Sequence, residues 1–155
     1  MLEKPQNGPE NKTQGKLHET HHWLGVVSSA HVERGVAGGF AQLCHGKEGP
    51  LRRMQAGDWL IYYSPATEMR GGQRLQAFTA LGQVLDERVY PHDMGAGFVP
   101  FRRDLRYERV RPVPLAALAD RLHLTQRSNW GMALRRGHLP LDAHDFGLIA
   151  AALRS

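Results

Sequence analysis

Alternating and continuous runs of apolar residues predict a series of short β-strands from Trp23 onward. Gly82 lies inside the longest run, where we expect a bulge or a bend. Ser64 and Pro65 are expected to end the strand that precedes them, and residues 40–44 form a short extended segment. The predicted strands span residues 23–28, 58–63, 76–87, 98–101 and 107–113.

Helical spacing and capping residues predict a few short helices beside these strands. Ser28 or Ser29 is expected to begin a helix that runs to Gly35, with Val32 and Val36 on one face. The other predicted helices are a turn at residues 50–56, a short helix through Leu115, Leu118 and Leu122, and a final helix capped by Asp142 with Phe146, Ile149, Ala150 and Leu153 on its inner face.

Strands that do not alternate regularly with helices favour an α+β, mainly β fold over a doubly wound one. For one small domain we expect a β-barrel of five to six strands flanked by short helices, because closure of the sheet removes exposed strand edges. The chain has 155 residues, of which 41% are hydrophobic. This length supports one domain and is too short for two sizeable cores.

Alternation along one strand separates a core face from a second face with binding potential. Trp59, Ile61 and Tyr63 share one face of this strand, and Leu60, Tyr62 and Ser64 share the other. One face must be core. The other, if it lines the mouth of a barrel, offers a flat ring and a hydroxyl that can stack on and hydrogen-bond an extruded base. Packing of every ring in the core is the alternative.

The first residues differ from the rest of the chain in composition. Residues 1–22 contain three lysines and three glutamates and few sizeable apolar side chains, which predicts a disordered polar tail at 1–21 followed by one domain at 22–155. His18, His21 and His22 could hold a metal, but no carboxylate or thiol completes the ligand set. A solvated histidine-bearing tail is therefore the preferred interpretation, and we expect no metal.

The positive charge of the chain belongs to the predicted domain. Twenty basic and 15 acidic residues give a formal net charge of +5, and the charges of the tail cancel. Every base after the tail is arginine except Lys47, and arginine binds phosphate with two parallel hydrogen bonds, which favours a polyanionic partner. A solvated strand edge is the alternative for the densest stretch, which contains Arg102, Arg103, Arg106, Arg109 and Arg111.

Cys44 is the only cysteine, so an internal disulfide framework is excluded, as is typical of a reducing cytoplasm. No run reaches the ~18 apolar residues of a membrane helix, and residues 1–20 lack the apolar core of a secretory signal. We therefore expect a cytoplasmic protein without a membrane partner.

Candidate catalytic chemistry is sparse. Cys44 stands beside His45, but neighbouring side chains of an extended segment point to opposite faces, so a thiolate would need another base such as His31. Phosphate-loop, nucleophile-elbow, zinc-protease and dinucleotide motifs are absent from the sequence, and we expect no cofactor. An enzyme, a hydrolase or base-processing activity using Cys44 or His31, is an alternative rather than the first hypothesis.

Several segments together resemble the EVE-domain family, a branch of the PUA-like superfamily related to YTH domains. The resemblance spans nearly all of residues 22–153 and leaves out the tail. The matching segments are Trp-Leu-Gly-Val-Val-Ser at 23–28, Gly-Gly-Phe-Ala-Gln-Leu-Cys-His-Gly-Lys at 38–47, Gly-Asp-Trp-Leu-Ile-Tyr-Tyr-Ser-Pro at 57–65, Gln-Ala-Phe-Thr-Ala-Leu-Gly-Gln-Val at 76–84, Phe-Val-Pro-Phe-Arg-Arg-Asp at 98–104 and Leu-Arg-Arg-Gly at 134–137.

This resemblance implies a PUA-like β-barrel with a pocket for a modified base flipped out of nucleic acid. YTH relatives read a methylated adenine in a tryptophan-rich cage, and EVE domains are linked to modified cytosines in DNA. Phe40 stands where we match one ring of that cage, so the preferred modification is open. The implied base pocket contains Ser28, Ser29, Phe40, Gln42, Tyr62 and Ser64, with His31, His45 and Trp130 as additions, and the implied phosphate contacts are Lys47, Arg102, Arg103 and Arg135.

The leading functional hypothesis is a monomeric reader of modified nucleic acid that performs no covalent chemistry. Its partner is DNA or RNA carrying a modified base, and the sequence has no feature devoted to a 2′-hydroxyl that would decide between them. The alternatives are the enzyme described above and a protein-interaction adaptor that uses the same pocket.

Overall fold

Seven β-strands form one sheet in the computed structural model, which describes residues 19–155. The order across the sheet is β2-β5-β4-β3-β1-β7, with β6 paired to β4, and only the pair β1 and β3 is parallel. The strands are β1 (His22–Val26), β2 (Phe40–Ala41), β3 (Trp59–Ala66), β4 (Arg74–Pro91), β5 (Phe101–Tyr107), β6 (Val113–Pro114) and β7 (His138–Leu141).

The mainly β fold class is confirmed, whereas the sheet is not a closed barrel. The outer strands β2 and β7 do not pair with each other, and seven strands are present rather than the expected five or six. Helices cover the sheet, which stays open. None of the helices between residues 19 and 155 has the length and apolarity to cross a bilayer. They are α1 (Ser29–Gly38), α2 (Glu48–Arg53), α3 (His123–Gln126), α4 (Trp130–Leu134), α5 (Ala143–Arg154) and the short 3-10 helices Cys44–Gly46 and Leu115–Ala117.

Side-chain caps begin the two long helices at the expected residues. Ser28 accepts a hydrogen bond from the His31 amide at 3.3 Å, and Asp142 accepts one from the Asp145 amide at 2.8 Å. These bonds satisfy amide groups that have no partner inside a helix. Helix α1 continues past the predicted end at Gly35 to Gly38, and Val36 is 40% exposed rather than facing the core with Val32.

The sheet is buried on both faces. One face, the first core, contains Leu24, Ile61 and Tyr63 and packs against α5. The opposite face, the second core, contains Leu60 and Tyr62 and packs against α1 and α2. The predicted alternation along β3 is confirmed, but the second face is core as well.

The strands predicted at 98–101 and 107–113 are wrong in position, since one strand, β5, occupies Phe101–Tyr107. After β5 the chain contacts α5 before it rejoins the sheet as β6: the Arg111 amide donates to the Leu153 carbonyl, and Glu108 pairs with Arg154. Strand β3 also continues through Pro65. Its neighbour β1 ends opposite Tyr63, so the missing N–H of the proline costs no ladder bond there.

Gly82 permits a close approach rather than a bulge. A β-carbon at this position would lie 2.8 Å from Cδ1 of the Tyr107 ring. The register of β4 shifts elsewhere, between Val84 and Val89 against β5 and between Arg74 and Ala80 against β3. Glycine at this position therefore allows the ring of Tyr107 to approach the backbone of β4 closely.

Gly82→Ala should accordingly lower the free energy of unfolding by about 1–3 kcal/mol, because the added methyl group overpacks the contact with Tyr107. Urea denaturation followed by circular dichroism measures this change. The matched control is Gly131→Ala, where the new β-carbon meets nothing within 4 Å. Equal stabilities of the two variants would contradict the packing described here.

Candidate functional site

Gln42 is the centre of a polar and aromatic cluster at the edge of the sheet. Its backbone carbonyl accepts hydrogen bonds from His31 Nε2 at 3.3 Å and from the Tyr62 hydroxyl at 3.5 Å. Its side-chain Oε1 accepts from Arg102 Nε at 2.6 Å, and the Arg102 guanidinium lies 3.7 Å from the centre of the Phe40 ring. We name these five residues the Gln42 cluster; all of them are among the residues expected at the binding surface from the sequence.

His31 presents a hydrogen-bond acceptor from this cluster. Burial is the main cause that lowers its pKa, with the nearby Arg34 and Arg102 charges acting in the same direction and the Gln42 carbonyl opposing them. The ring is therefore neutral at neutral pH, and donation from Nε2 to Gln42 leaves Nδ1 as an acceptor. The Gln42 side-chain nitrogen, in contrast, donates to no group between residues 19 and 155, so the cluster offers both a donor and an acceptor.

Tyr62 is a fully buried member of this cluster, and its ring is not accessible for stacking. It is 1% exposed, its ring lies 6.5 Å from that of Tyr107, and burial raises its pKa. Tyr107 in turn donates to the Phe40 carbonyl at 2.9 Å. The prediction that the Tyr62 ring stacks on a base is therefore contradicted, and Phe40, which is half-buried, is the accessible ring of the cluster.

The backbone next to Gln42 is strained. The sequence predicts an extended segment through Cys44, but Cys44, His45 and Gly46 have φ values of 50°, 62° and 84°. Left-handed backbone costs an L-residue roughly 1–2 kcal/mol, and such residues concentrate at functional sites. The turn is held by the amides of Gly46 and Lys47, which both donate to the Leu43 carbonyl. A hydrogen-bonded turn with left-handed backbone therefore lies directly after Gln42.

The Cys44 thiol faces a carbonyl oxygen rather than a base. Its Sγ donates to the Arg136 carbonyl at 3.4 Å, and the neighbouring Gly137 carbonyl accepts from the Val26 amide at 2.9 Å. Neither His31 nor His45 forms a hydrogen bond with the thiol. This arrangement does not supply the thiol–histidine pair that a Cys44 nucleophile requires.

The remaining residues of the expected base pocket are distributed around the cluster. Ser28 borders it through the amide of His31, while Ser29 donates to the Thr67 carbonyl at 3.4 Å. Ser64 is fully buried and bonded to Thr79 at 2.8 Å, so it is not available to a ligand. His45 is exposed on the strained turn, and Trp130 packs against the first core rather than against the Gln42 cluster.

Arg103 is a buried structural residue and not the phosphate contact that was expected. It is 1% exposed, and its guanidinium donates to the carbonyls of Leu51, Met54 and Asp86. Because side chains alternate along β5, Arg103 points into the second core and its neighbour Arg102 points to the other face. The sequence did not distinguish them, since both residues are arginine. The other two expected contacts, Lys47 and Arg135, are exposed.

Sequence reasoning missed a buried histidine close to this region. His138 is 2% exposed and stacks on Trp23 with a centroid distance of 4.7 Å. Within residues 19–155 neither of its ring nitrogens has a hydrogen-bond partner. Burial, aided by the charge of Arg53, lowers its pKa to about 4. Only its position between Gly137 and the apolar Leu139 could have indicated such burial.

Protonation of His138 should therefore make the protein acid-sensitive. The unfolded chain takes up this proton near pH 6.5 and the folded chain only near pH 4, so stability falls by up to about 3 kcal/mol as the pH decreases through that interval. His138→Phe should flatten this pH dependence while keeping a ring against Trp23. Urea denaturation of both proteins at pH 7 and pH 4.5 measures the slopes, and equal slopes would contradict the assignment.

One group of three potential metal ligands occurs between residues 19 and 155: His123, His144 and Asp145. Both oxygens of Asp145 accept backbone amides, and the two histidine rings stack 3.9 Å apart while bonding to Asp142 and the Arg121 carbonyl. These bonds join α3 to the start of α5. Of the tail histidines, His18 lies outside the described residues, His21 binds Asp58 through its amide, and His22 stacks on Phe146.

The EVE-domain model matches residues 21–152. This chain belongs to the EVE-domain family. The resemblance seen in the sequence is thereby confirmed, and the family indicates a PUA-like binding module. The matched range begins within one residue of the expected domain boundary, and the His21 carbonyl accepts the Trp59 amide at that point.

Two relatives of this EVE domain have names that state no activity. The UPF0310 protein YdcG of Bacillus subtilis is 44% identical over 135 residues, which cover 86% of this chain and 92% of the relative. A UPF0310 protein of Streptococcus mutans is 48% identical over 136 residues, with 85% and 96% coverage.

Solved structures share the fold at low identity. A hypothetical protein from Leishmania major superposes with a TM-score of 0.55 at 12% identity, covering 86% of this chain and 94% of its own. Rpa0253 from Rhodopseudomonas palustris gives a TM-score of 0.51 at 19% identity, with 86% and 92% coverage. These likenesses concern the fold of the EVE domain alone.

Proposed function

We propose that this EVE domain binds nucleic acid by accepting a modified base, flipped out of DNA or RNA, at the Gln42 cluster. The observation that carries the proposal is the meeting of a half-buried ring, a guanidinium, an amide donor and a histidine acceptor around one residue. A planar heterocycle with donors and acceptors along its edge is the ligand that such a set recognises.

Stacking would supply affinity for the base, and polar contacts to the base edge would supply selectivity. The paired planes of Phe40 and Arg102 provide a surface for stacking, which contributes roughly 1–3 kcal/mol per base. The Gln42 amide and His31 Nδ1 would select the base edge, because a buried polar group left unpaired costs about 1–3 kcal/mol. Tyr62 contributes by holding the Gln42 carbonyl in place.

Phosphate contacts would come from exposed basic side chains near this site. Lys47 follows the strained turn at Cys44–Gly46, and Arg135 precedes the Arg136 carbonyl that binds Cys44. Such contacts set the register of the nucleic acid and carry no sequence information. Together with the net charge of +5 they predict an affinity whose logarithm falls linearly with the logarithm of salt concentration.

A thermal-shift screen of free modified nucleosides tests the pocket without the phosphates. A ligand at 100 times its Kd stabilises the folded state by about 2.7 kcal/mol, which is a measurable rise in Tm. We expect at least one modified nucleoside to raise the Tm more than its unmodified parent. A Gln42→Ala variant should lose this shift, and a uniform lack of response in the wild type would count against the proposal.

A further inference from the structure

The loop between β4 and β5, residues 92–100, displays apolar side chains to solvent. Met94, Phe98 and Val99 are 47%, 47% and 49% exposed. The loop is an ordered extension of the hairpin, because the His92 amide donates to the Pro100 carbonyl and the Met94 amide to the Phe98 carbonyl, each at 2.9 Å. The exposed side chains are therefore held in place rather than left free to collapse onto the protein.

The tip of this loop is built on strained backbone. Gly95, Ala96 and Gly97 have φ values of 89°, 56° and 80°, and Asp93 accepts the Gly95 amide at 2.8 Å. Left-handed backbone at the non-glycine Ala96 and solvent exposure of Phe98 both cost free energy in the unbound protein. A binding partner that covers the tip would recover the second of these costs.

This loop stands beside the Gln42 cluster. A β-carbon at Gly46 would lie 2.4 Å from Pro100 Cβ and 3.7 Å from Phe98 Cζ, so the loop packs directly on the strained turn that follows Gln42. The strand after the loop carries Arg102, which binds Gln42. Phe98 is thus connected to the cluster by its packing on the turn at Gly46 and by the strand that carries Arg102.

Charges around the apolar tip favour nucleic acid as the partner. Lys47 follows Gly46 on the turn, and Arg102 follows the loop. The acid of the loop, Asp93, already accepts the Gly95 amide. An apolar wedge between cations complements a base stack between two rows of phosphates, because wedge side chains enter between bases while cations bind the backbone.

We propose that Phe98 inserts into the base stack of a nucleic-acid duplex and fills the space left by the base that the Gln42 cluster accepts. This inference rests on the proposed function. Insertion keeps the neighbouring bases stacked on an aromatic ring and offsets part of the few kcal/mol that extrusion costs. Val99 and Met94 then cover the edges of the gap.

A duplex with one abasic site tests the insertion without knowledge of the modified base. The gap is present in advance, so the wild type should bind this duplex about tenfold or more tightly than the intact duplex of the same sequence. Phe98→Ala should remove the preference. Leu85→Ala is the matched control, since Leu85 is 50% exposed on β4 outside the loop, and it should keep the preference.

The outcomes separate this inference from the proposed function. Equal affinity of the wild type for both duplexes, or an unchanged preference in Phe98→Ala, overturns the insertion of Phe98; the base pocket then stands if modified and unmodified oligonucleotides are still distinguished. Failure to bind any oligonucleotide overturns both. Circular dichroism of Phe98→Ala verifies that the exposed substitution leaves the fold intact.

Discussion

Replacing Arg103 by leucine is expected to lower the free energy of unfolding by about 3–5 kcal/mol, because buried carbonyls that lose their donor cost about 1–3 kcal/mol each. The Arg103 guanidinium satisfies the carbonyls of Leu51 and Met54 near α2 and of Asp86 in the irregular part of β4. Leucine fills the volume but leaves those carbonyls without donors, and each unpaired group adds a penalty. The ion pair with Glu87 contributes little, because that carboxylate is 71% exposed.

Urea denaturation measures this loss, and the same strand supplies the control. Arg106 is exposed, so Arg106→Leu should change stability by no more than about 0.5 kcal/mol. Arg103→Lys should cause an intermediate loss of stability. Lysine retains the charge but lacks the forked guanidinium that donates to three carbonyls at once. A loss below about 1 kcal/mol in Arg103→Leu would refute the structural role given to this arginine.

Phe40→Ala is expected to weaken binding of a modified oligonucleotide by about 10- to 100-fold, which corresponds to the loss of one stacking surface. The ring lies under the Arg102 guanidinium, so its removal also frees the arginine from its fixed plane. Fluorescence anisotropy measures the affinity. Phe40→Trp should retain binding, because another flat ring restores the surface.

Two control variants keep this result specific. Val36→Ala changes an exposed apolar residue of α1 and should leave affinity unchanged. Tyr62→Phe removes only the hydroxyl at 3.5 Å from the Gln42 carbonyl and should have a smaller effect than Phe40→Ala. Unaltered affinity in Phe40→Ala with the fold preserved would place the ligand elsewhere.

Local patterns predicted the interior better than its boundaries. Alternation along β3 assigned Tyr62 and Tyr63 to opposite faces, and the caps at Ser28 and Asp142 began their helices as expected. Strand β5 was displaced in the prediction because its residues are mostly charged, and the pairing that makes them a strand comes from β2 and β4. Strand β7 was missed for a similar reason, since it is short and pairs only with β1.

The sequence predicted which residues form the site but not their burial or their contacts. Resemblance identified Phe40 and Gln42, yet their partner Arg102 lies 60 residues from Gln42, and no local pattern reports that contact. Burial of Tyr62 depends on helices covering the second face, which alternation alone cannot reveal. The left-handed turn at Cys44 and His45 was not predicted because cysteine does not favour that backbone and the enrichment of histidine there is too weak to indicate a turn.

The affinity difference between modified and unmodified oligonucleotides tests the central claim most directly. A labelled oligonucleotide carrying one modified base, drawn from methylated and hydroxymethylated cytosines and methylated adenine, is titrated beside its unmodified counterpart at fixed salt. The proposed base pocket predicts that one modification binds at least about tenfold more tightly, a difference of about 1.4 kcal/mol that disappears in Phe40→Ala. Equal affinities across the whole panel would contradict it.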